Sequence, residues 1–429
     1  MPFREAYDDP MNGLRQWQQR TFQALIHTDF RVYWYSQILS LLASWIQTTA
    51  LSYLVLELTP SSQILGWVNV VQFTPTLLFS LFAGALLDRI SKKAVLQGTQ
   101  VAFMLIALTS GVLIHTGHIN LTLIFVMSAL SGLANAFNMP ARQSLLAEFV
   151  PRESLPNAVA LNSLAFNTSR TIGQALFGLV VPLGVYLLAG GNEDALSRLA
   201  FPFYLNAVTF LAVMFIQAQL HWKDPEPQIQ QGMLGRIAEG LRYVKSTPKV
   251  KFIMLLIGVV SITVINFNIL IPYFAKQVFM LKEAAFGGLS AAFGLGCMIG
   301  ALRQASSPKP ERNLRLAALA LPITNVMFAM SPNMYVGAGA LVVCGFAMMS
   351  CLVSANSLIQ LSIPNELRGR VMSLYTTVLV GSAPIGAALE GYAISSHGPF
   401  GPQMGVVVLS ALGFVVVGWL LYVYRNALK

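Results

Sequence analysis

Arg170 is the residue of this sequence whose position most directly suggests chemistry. It lies 13 residues into an apolar stretch that begins near Asn157, or roughly 20 Å along a helix at about 1.5 Å per residue. A charge that deep in a membrane is costly unless it faces water or a partner. We therefore predict that Arg170 contacts an anionic group of a small molecule or belongs to an ion-coupling network. The alternative is a structural arginine bonded to backbone carbonyls and to Asn167 or Gln174.

Glu390 is an acidic residue inside a second apolar stretch. Ionisable residues within membrane helices commonly mark ion pathways and proton relays. One hypothesis therefore makes Glu390 a proton-coupling carboxylate. The other places it at the outer membrane surface, where it would meet water.

The composition indicates the environment in which these two residues lie. Hydrophobic residues make up 55% of the 429 residues and charged residues 10%, against about 25% charged in ordinary soluble proteins. This excess of apolar side chains must face lipid. The sequence has no phosphate-binding glycine loop, no zinc-binding helix motif and no basic stretch with stacking aromatics. We predict no enzymatic activity, no cofactor, no metal site and no nucleic-acid partner.

Twelve apolar runs reach the length of about 20 residues that a membrane-spanning helix needs. The runs do not alternate apolar with polar residues as barrel strands do, and a helix satisfies its own backbone hydrogen bonds in lipid. We therefore predict an all-α polytopic membrane protein with twelve transmembrane helices. The predicted spans are 31–57, 64–87, 94–115, 119–140, 158–189, 199–220, 250–275, 285–305, 313–330, 334–360, 371–396 and 402–424.

Basic residues concentrate on one side of these spans. With the N-terminus in the cytoplasm, 23 of the 27 lysines and arginines lie on the cytoplasmic side. The exceptions are Arg198, Lys276 and Lys282 on the outer side and Arg170 within a span. The positive-inside rule then predicts that both termini are cytoplasmic. The predicted location is the plasma (inner) membrane of a prokaryote, with the lipid bilayer as the surroundings of the protein.

The longest hydrophilic stretch divides six spans from six. Within it, Leu234, Ile237, Leu241 and Val244 recur at three- and four-residue steps, which predicts an amphipathic helix along the inner membrane surface. The predicted organisation is a cytoplasmic N-terminal segment 1–29, a six-helix bundle 30–220, a linker 221–249, a second six-helix bundle 250–424 and a cytoplasmic tail 425–429.

An internal repeat relates the two predicted bundles. Residues 150–178 align with residues 363–391 without a gap, and upstream matches continue at the same offset of 213. Pro151 matches Pro364, and Gly178 matches Gly391. Equivalent positions are six spans apart. Because six is an even number, equivalent helices cross the membrane in the same direction, and the repeat is parallel. Halves related in this way enclose a central site near the membrane midplane.

A loop motif and the repeat together resemble the major facilitator superfamily. The motif begins at Gly84, continues with Asp88-Arg89 and ends with the basic pair Lys92-Lys93. Two further segments, 140–143 and 367–371, are similar to the branch that includes enterobactin exporters and macrolide-efflux proteins. The resemblance covers roughly residues 25–425. The chain departs from proton-coupled drug exporters in having Ser128 four residues before Gly132, where they carry arginine, and Gln174 after Gly173, where they carry proline.

The resemblance implies a role for the loop motif. In this superfamily the loop latches the cytoplasmic side shut when the outer side is open. The alternative is an ordinary positive-inside loop with solvated charges. The gating residues that the resemblance implies are Gly84, Asp88, Arg89, Lys92, Lys93, Arg142 and Arg370.

The resemblance also implies a central cavity lined by the early helices of each half. Besides Arg170 and Glu390, amide side chains on those helices are candidates for substrate or coupling contacts, each with packing as its alternative. They are Gln47, Asn69, Gln72, Asn135, Asn138, Asn266, Asn268 and Asn356.

From these observations we predict a monomeric secondary active transporter that works by alternating access. It exports an amphiphilic small molecule such as a drug, a siderophore or a lipid-like metabolite, with protons as the candidate coupling ion of an antiporter. Two alternatives stay open. One is an importer or uncoupled facilitator, which Ser128 favours. The other is a non-transporting membrane sensor or scaffold.

Overall fold

The computed structural model describes residues 22–87, 90–146, 148–151, 153–192, 195–220, 233–305, 309–396 and 398–426. Within these residues the regular secondary structure is helical. The helices are α1 Thr28–Leu58, α2 Ser62–Leu87, α3 Lys92–His115, α4 Leu121–Leu146, α5 Leu155–Leu188, α6 Phe201–Ala218, α7 Met233–Ser246, α8 Pro248–Thr263, α9 Phe267–Tyr273, α10 Glu283–Ala305, α11 Pro310–Ala329, α12 Met334–Leu361, α13 Asn365–Gly381, α14 Ala383–Ala393 and α15 Gly401–Val423.

Each of the twelve predicted spans coincides with one helix or with a pair of consecutive helices. In the part of the chain that the structure describes, ten helical segments are long and apolar enough to cross a membrane, which makes the chain a multi-pass membrane protein. Helices α2 and α11, of 26 and 20 residues, are of spanning length but fall outside that group of ten. The all-helical class is therefore confirmed, and the count of twelve spans stays a prediction.

Two predicted spans are interrupted rather than continuous. The run 250–275 is helical only to Thr263, and a non-helical segment precedes α9. There the side chain of Asn266 donates to the carbonyl of Ile262 at 3.2 Å, a carbonyl that an unbroken helix would bond through its backbone. The run 371–396 divides at Ser382 because Pro384 supplies no N–H donor to the helix.

Glycines allow helices of the two halves to cross closely at one end of the bundle. A Cβ on Gly178 of α5 would lie 2.9 Å from Ala284 Cα at the start of α10. A Cβ on Gly391 of α14 would lie 2.7 Å from the carbonyl oxygen of Ser62 on α2. Gly178 and Gly391 are equivalent positions of the 213-residue repeat. The repeat therefore places matching small residues at two matching crossings between the halves.

The predicted amphipathic helix is present as α7, and it docks on the second half of the chain. The hydroxyl of Tyr243 donates to the carbonyl of Ser362 at 2.7 Å. Glu239 forms an ion pair with Arg370 at the start of α13. The side chains of residues 233–237, which include part of the predicted apolar face, lie outside the described residues.

The two ends of the bundle are named here for the positions of the chain ends. Helix α1 begins and α15 ends at the terminal end. The opposite end, where α1 ends and α10 begins, is the distal end. The glycine crossings of Gly178 and Gly391 lie toward the distal end.

Candidate functional site

Two adjoining cavities lie between the helices. The larger has a volume of about 220 Å³ and is lined by α1 to α6, all from the first half. The smaller has a volume of about 110 Å³ and lies between α1 and α5 of the first half and α9, α10 and α12 of the second. Thr48 on α1 lines both. The two cavities therefore adjoin at Thr48, and we call them together the path, which both halves of the chain border at the smaller cavity.

Seven of the residues predicted from the sequence line this path. Most are amides that project from different helices onto the same space, as the central-cavity prediction requires. They are Gln47, Gln72, Asn135, Asn138 and Arg142 in the larger cavity and Arg170 and Asn268 in the smaller.

Three predicted amides lie outside the lining of both cavities. Asn69 and Asn266 donate to carbonyls one turn earlier in the chain, at 2.9 Å and 3.2 Å. Asn356 accepts a hydrogen bond from Gln360 on the same helix face. These local bonds are the packing roles that were the alternative for each amide.

Hydrogen bonds between helices fix the orientation of several cavity amides. Gln100 on α3 donates to Gln217 on α6 at 2.7 Å, and Gln217 donates to Ser36 on α1 at 3.0 Å. Asn206 on α6 donates to the Gln47 side-chain oxygen at 2.7 Å. Connected polar groups of this kind hold one another in a single arrangement in a low-dielectric interior. The wall of the larger cavity is therefore preorganised.

Arg170 faces the smaller cavity with most of its donors unused. Its Nη2 lies 3.4 Å from the Cys297 sulfur, and its Cζ lies 6.0 Å from the centre of the Phe293 ring. Its Nε is buried without a hydrogen-bond partner, and no carboxylate among the described residues forms an ion pair with it. Asn167 instead donates to the carbonyl of Ser163. Bonds from Arg170 to backbone carbonyls, Asn167 or Gln174, which the alternative requires, are not among its described contacts, and its role stays a prediction.

Glu390 is buried away from both cavities. Its exposed fraction is 1%, and neither carboxylate oxygen has a hydrogen-bond partner. It lies on the same face of α14 as Gly386, one turn earlier, which packs against the side chain of Asn266. The alternative in which Glu390 meets water at the membrane surface is therefore wrong for this conformation.

Part of the loop motif lies outside the described residues. Nothing is described for Asp88 and Arg89, nor for the surroundings of Gly84. The described part begins with Lys92, whose Nζ lies 2.5 Å from Glu148 Oε1. This ion pair joins the start of α3 to the segment after α4.

The remaining predicted gating residues lie in three different places. Lys93 Nζ lies 3.4 Å from the carbonyl oxygen of Ala218. Arg142 borders the larger cavity, and Arg370 pairs with Glu239 of the linker helix. The gating role of this set stays a prediction.

A cluster of four charged residues at the distal end was missed by sequence reasoning. Arg198 Nη2 lies 2.9 Å from Glu57 Oε1 at the end of α1 and 2.9 Å from Glu283 Oε1 at the start of α10. Lys276 Nζ lies 2.6 Å from the same Glu57 oxygen and 4.3 Å from the centre of the Tyr53 ring. Glu57 and Arg198 belong to the first half of the chain, and Lys276 and Glu283 to the second. We call these four residues the distal ion cluster.

The signal that could have revealed the distal ion cluster was in the charge distribution. Arg198 and Lys276 are two of the three basic residues predicted to lie on the outer side, against the cytoplasmic bias. A cation on the wrong side of that bias must have a local reason to be there. Here the reason is an acid from the opposite half of the chain.

The halves touch at the distal end and are separated at the terminal end. Distally, the Ser62 hydroxyl donates to the carbonyl of Gly391 at 2.8 Å, beside the glycine crossings and the distal ion cluster. Toward the terminal end, a third cavity of about 360 Å³ lies between α2 and α4 on one side and α13 on the other. Met139 borders both this cavity and the larger one. The path therefore leads toward the terminal end, whereas distally these contacts join the halves beside a pocket of about 570 Å³ that α1, α5 and α10 border.

Comparisons with known proteins agree with this architecture. A match of 25% identity over 268 residues relates the chain to the staphyloferrin A transporter of Staphylococcus aureus (strain NCTC 8325 / PS 47), covering 62% of this chain and 64% of that protein. The enterobactin exporter EntS of Shigella boydii serotype 4 (strain Sb227) is 24% identical over 92% of this chain and 91% of its own length.

A solved structure shares the fold at low sequence identity. The crystal structure of a bacterial homologue of the iron transporter ferroportin, in an inward-facing state, superposes with a TM-score of 0.71 at 14% identity, covering 92% of this chain and 98% of that one. The family described as transmembrane secretion effector matches residues 19–425, which is nearly the whole chain. The chain therefore belongs to the transmembrane secretion effector family of major facilitator superfamily transporters, which are not enzymes.

Proposed function

We propose that this protein exports an amphiphilic small molecule, such as a siderophore, a drug or a lipid-like metabolite, by alternating access. The observation that carries the proposal is a path that both halves border, with a further cavity between the halves at the terminal end and ion pairs that join the halves at the distal end. The relatives named a staphyloferrin A transporter and an enterobactin exporter support small-molecule transport as the activity. Polar amides beside Trp45, Phe103 and Phe210 give the path the mixed character that an amphiphilic cargo requires.

The proposal includes the arrangement of the chain in the membrane. Twelve spans form two six-helix bundles, 30–220 and 250–424, joined by the linker 221–249. Both termini lie in the cytoplasm of a prokaryote, at the plasma (inner) membrane, and the protein works as a monomer. The charge bias of the loops supports this orientation, and it makes the terminal end the cytoplasmic end. The conformation described above is then inward-facing.

In this proposal the distal ion cluster is the outer latch. It joins the halves where they touch, so cargo can leave outward only after Arg198 releases Glu283 and Lys276 releases Glu57. The loop motif with Asp88 and Arg89 would act at the other end, where the halves are apart in this conformation. The two latches would then alternate, each closed when the other is open.

The export proposal is tested by the accumulation of a panel of siderophores, drugs and lysolipids in an efflux-deficient bacterium. Cells that express the protein should accumulate less of at least one compound than cells with an empty vector. A protonophore should abolish the difference if export is proton-coupled and leave it intact if the protein is an uncoupled facilitator. Higher accumulation would establish uptake instead. No change across the panel, despite membrane expression, would favour the sensor or scaffold alternative.

We propose further that Glu390 carries the coupling proton. An ionised carboxylate buried without a hydrogen-bond partner is costly, which favours a neutral, protonated carboxyl group in this conformation. Release of the proton would then require the movement of α14 against α2 and α8. Glutamine in place of Glu390 keeps the shape of the protonated side chain but cannot ionise.

The Glu390→Gln variant should lose the protonophore-sensitive part of export while reaching the membrane in normal amounts. Export by inverted membrane vesicles, with and without an imposed pH gradient, measures this effect. Glu153→Gln, at an exposed position outside the cavities, is the matched control and should behave as wild type. Full gradient-driven export by Glu390→Gln would remove Glu390 from the coupling mechanism.

A further inference from the structure

We infer that the cargo carries an oxyanion, such as a carboxylate or a phenolate, and that this group pairs with Arg170. The inference rests on the proposed function and specifies the chemical class of what is transported. Three features of the smaller cavity carry it: the balance of charge along the path, the unused donors of Arg170 and the direction of the neighbouring hydroxyl groups.

The path is positively charged. Its lining includes the guanidinium groups of Arg142 in the larger cavity and Arg170 in the smaller. Among the described residues that line the two cavities, none is an aspartate or a glutamate. Two cations in a low-dielectric space whose described lining holds no acidic residue attract anions and repel cations. A positively charged amphiphile would meet repulsion at both ends of this path.

Arg170 has donors to spare for such a group. A guanidinium presents five N–H donors, and the described contact uses Nη2 toward the weak acceptor sulfur of Cys297 at 3.4 Å. Nε is buried and has no partner. An oxyanion entering the cavity could accept hydrogen bonds from the guanidinium group, and arginine binds carboxylates through bonds of this charge-assisted kind. A bound anion would also neutralise a charge that is otherwise costly at this depth.

The hydroxyl groups of α1 in the smaller cavity are engaged within their own helix. Thr48, Thr49 and Ser52 of α1 each donate to a carbonyl four residues earlier, at 2.8 Å, 2.8 Å and 3.2 Å. Their protons are therefore engaged, and they present acceptor lone pairs to the cavity. This wall suits hydroxyl or amide donors of a cargo, whereas the Arg170 wall suits its oxyanion.

Aromatic rings adjoin the guanidinium and complete the site. Phe267 and Phe293 pack with ring centres 4.2 Å apart, and both line the smaller cavity with Phe286. An apolar or aromatic body next to the anionic group would be buried against these rings. The fitting cargo is therefore an amphiphilic oxyanion with additional hydrogen-bond donors.

The test compares three probes of similar shape and different charge: 1-naphthoate, 1-naphthamide and 1-naphthylmethylammonium. Their binding to the purified full-length protein in detergent is measured by calorimetry, without any need for transport. Wild type should bind naphthoate more tightly than naphthamide, and the ammonium probe most weakly. Raising the salt concentration should weaken only the binding of naphthoate. Because this comparison uses wild type alone, it holds even where a variant fails to fold.

Substitutions then test whether Arg170 causes the preference for the anionic probe. Arg170→Gln should weaken naphthoate binding roughly tenfold to a hundredfold, the range expected when a charged hydrogen-bond partner is lost, and should leave naphthamide binding unchanged. Arg170→Lys should keep part of the preference. Arg312→Gln, an exposed position outside both cavities, is the matched control and should match wild type.

Two results would overturn the inference. One is equal binding of the three probes, or no binding of naphthoate, by wild type. The other is an equal loss for naphthoate and naphthamide in Arg170→Gln, which would assign Arg170 a structural role. Export of a neutral compound in the cellular panel, together with either result, would leave the export proposal standing while the oxyanion inference fails. Charge-selective binding without export of any compound would support the oxyanion inference and contradict the export proposal.

Discussion

Arg198→Gln should open the distal end of the protein. Arg198 is 6% exposed and holds Glu57 and Glu283 together across the two halves. Without its charge, two carboxylates from opposite halves share Lys276 as the remaining cation of the cluster and repel each other. Removal of one partner from a buried ion pair costs roughly 3–5 kcal/mol, and partial exposure of Glu57 favours the lower end of that range. A change of about 3 kcal/mol shifts a two-state equilibrium by more than a hundredfold.

The shift can be measured as a distance between spin labels at the distal end. Thr116 at the end of α3 and Tyr335 at the start of α12 are exposed and belong to opposite halves. The three native cysteines are buried, so labels at Thr116→Cys and Tyr335→Cys should dominate the signal. We expect the short-distance population of wild type to be replaced by a longer one in Arg198→Gln.

The controls separate the loss of the latch from a general loss of charge. Lys251→Gln removes an exposed cation near the terminal end and should leave the distances unchanged. Arg198→Gln combined with Glu283→Gln removes both charges of one cross-half pair and should restore part of the closed population. Identical distance distributions in wild type and Arg198→Gln would show that the distal ion cluster does not hold the halves together.

Gly66→Leu should abolish most export by preventing distal closure. A Cβ at Gly66 on α2 would lie 2.6 Å from the carbonyl oxygen of Ala387 and 3.3 Å from Gly391 Cα, both on α14. These atoms belong to the backbone, so no side chain can rotate to make room. Overpacking of this kind costs roughly 1–3 kcal/mol even in adaptable cores. The helices would have to separate, and a transporter that cannot close distally cannot take up cargo from the terminal end alone.

Gly98→Leu is the matched control for this variant. Gly98 also lies within a helix, α3, but a Cβ there meets no atom within 4 Å. Both variants should insert into the membrane in similar amounts, and export in vesicles should fall only in Gly66→Leu. The spin-label pair should report the open distal end in Gly66→Leu as well. Equal export by the two variants would exclude the α2–α14 crossing from the transport cycle.

Much of the fold follows from local features of the sequence. Each predicted span coincides with a helix because a membrane helix is specified by a continuous apolar run, which needs no knowledge of distant residues. The helix breaks before α9 and at Ser382 were not predicted. A hydropathy profile does not reveal these breaks, because an interrupted helix has the same apolar composition as a continuous one.

The candidate site was predictable in part for the same reason. Cavity amides such as Gln72, Asn135 and Asn138 stand out as polar residues on early helices of the first half, and they do line the larger cavity. Asn69 and Asn356 carry the same signal but bond within their own helices. Which face of a helix meets the cavity depends on its rotation against its neighbours, which a single sequence does not specify.

The sequence by itself determined the membrane environment, the helical class, the parallel repeat and the unusual depth of Arg170. The tertiary structure alone decided that no carboxylate of the described residues pairs with Arg170, that Glu390 is buried, and that Glu57, Arg198, Lys276 and Glu283 meet across the halves. The physical reason is the range of each effect. The hydropathy of a residue depends on that residue alone, whereas an ion pair acts over a few ångströms between residues far apart in the chain, such as Glu57 and Lys276, which are 219 positions apart.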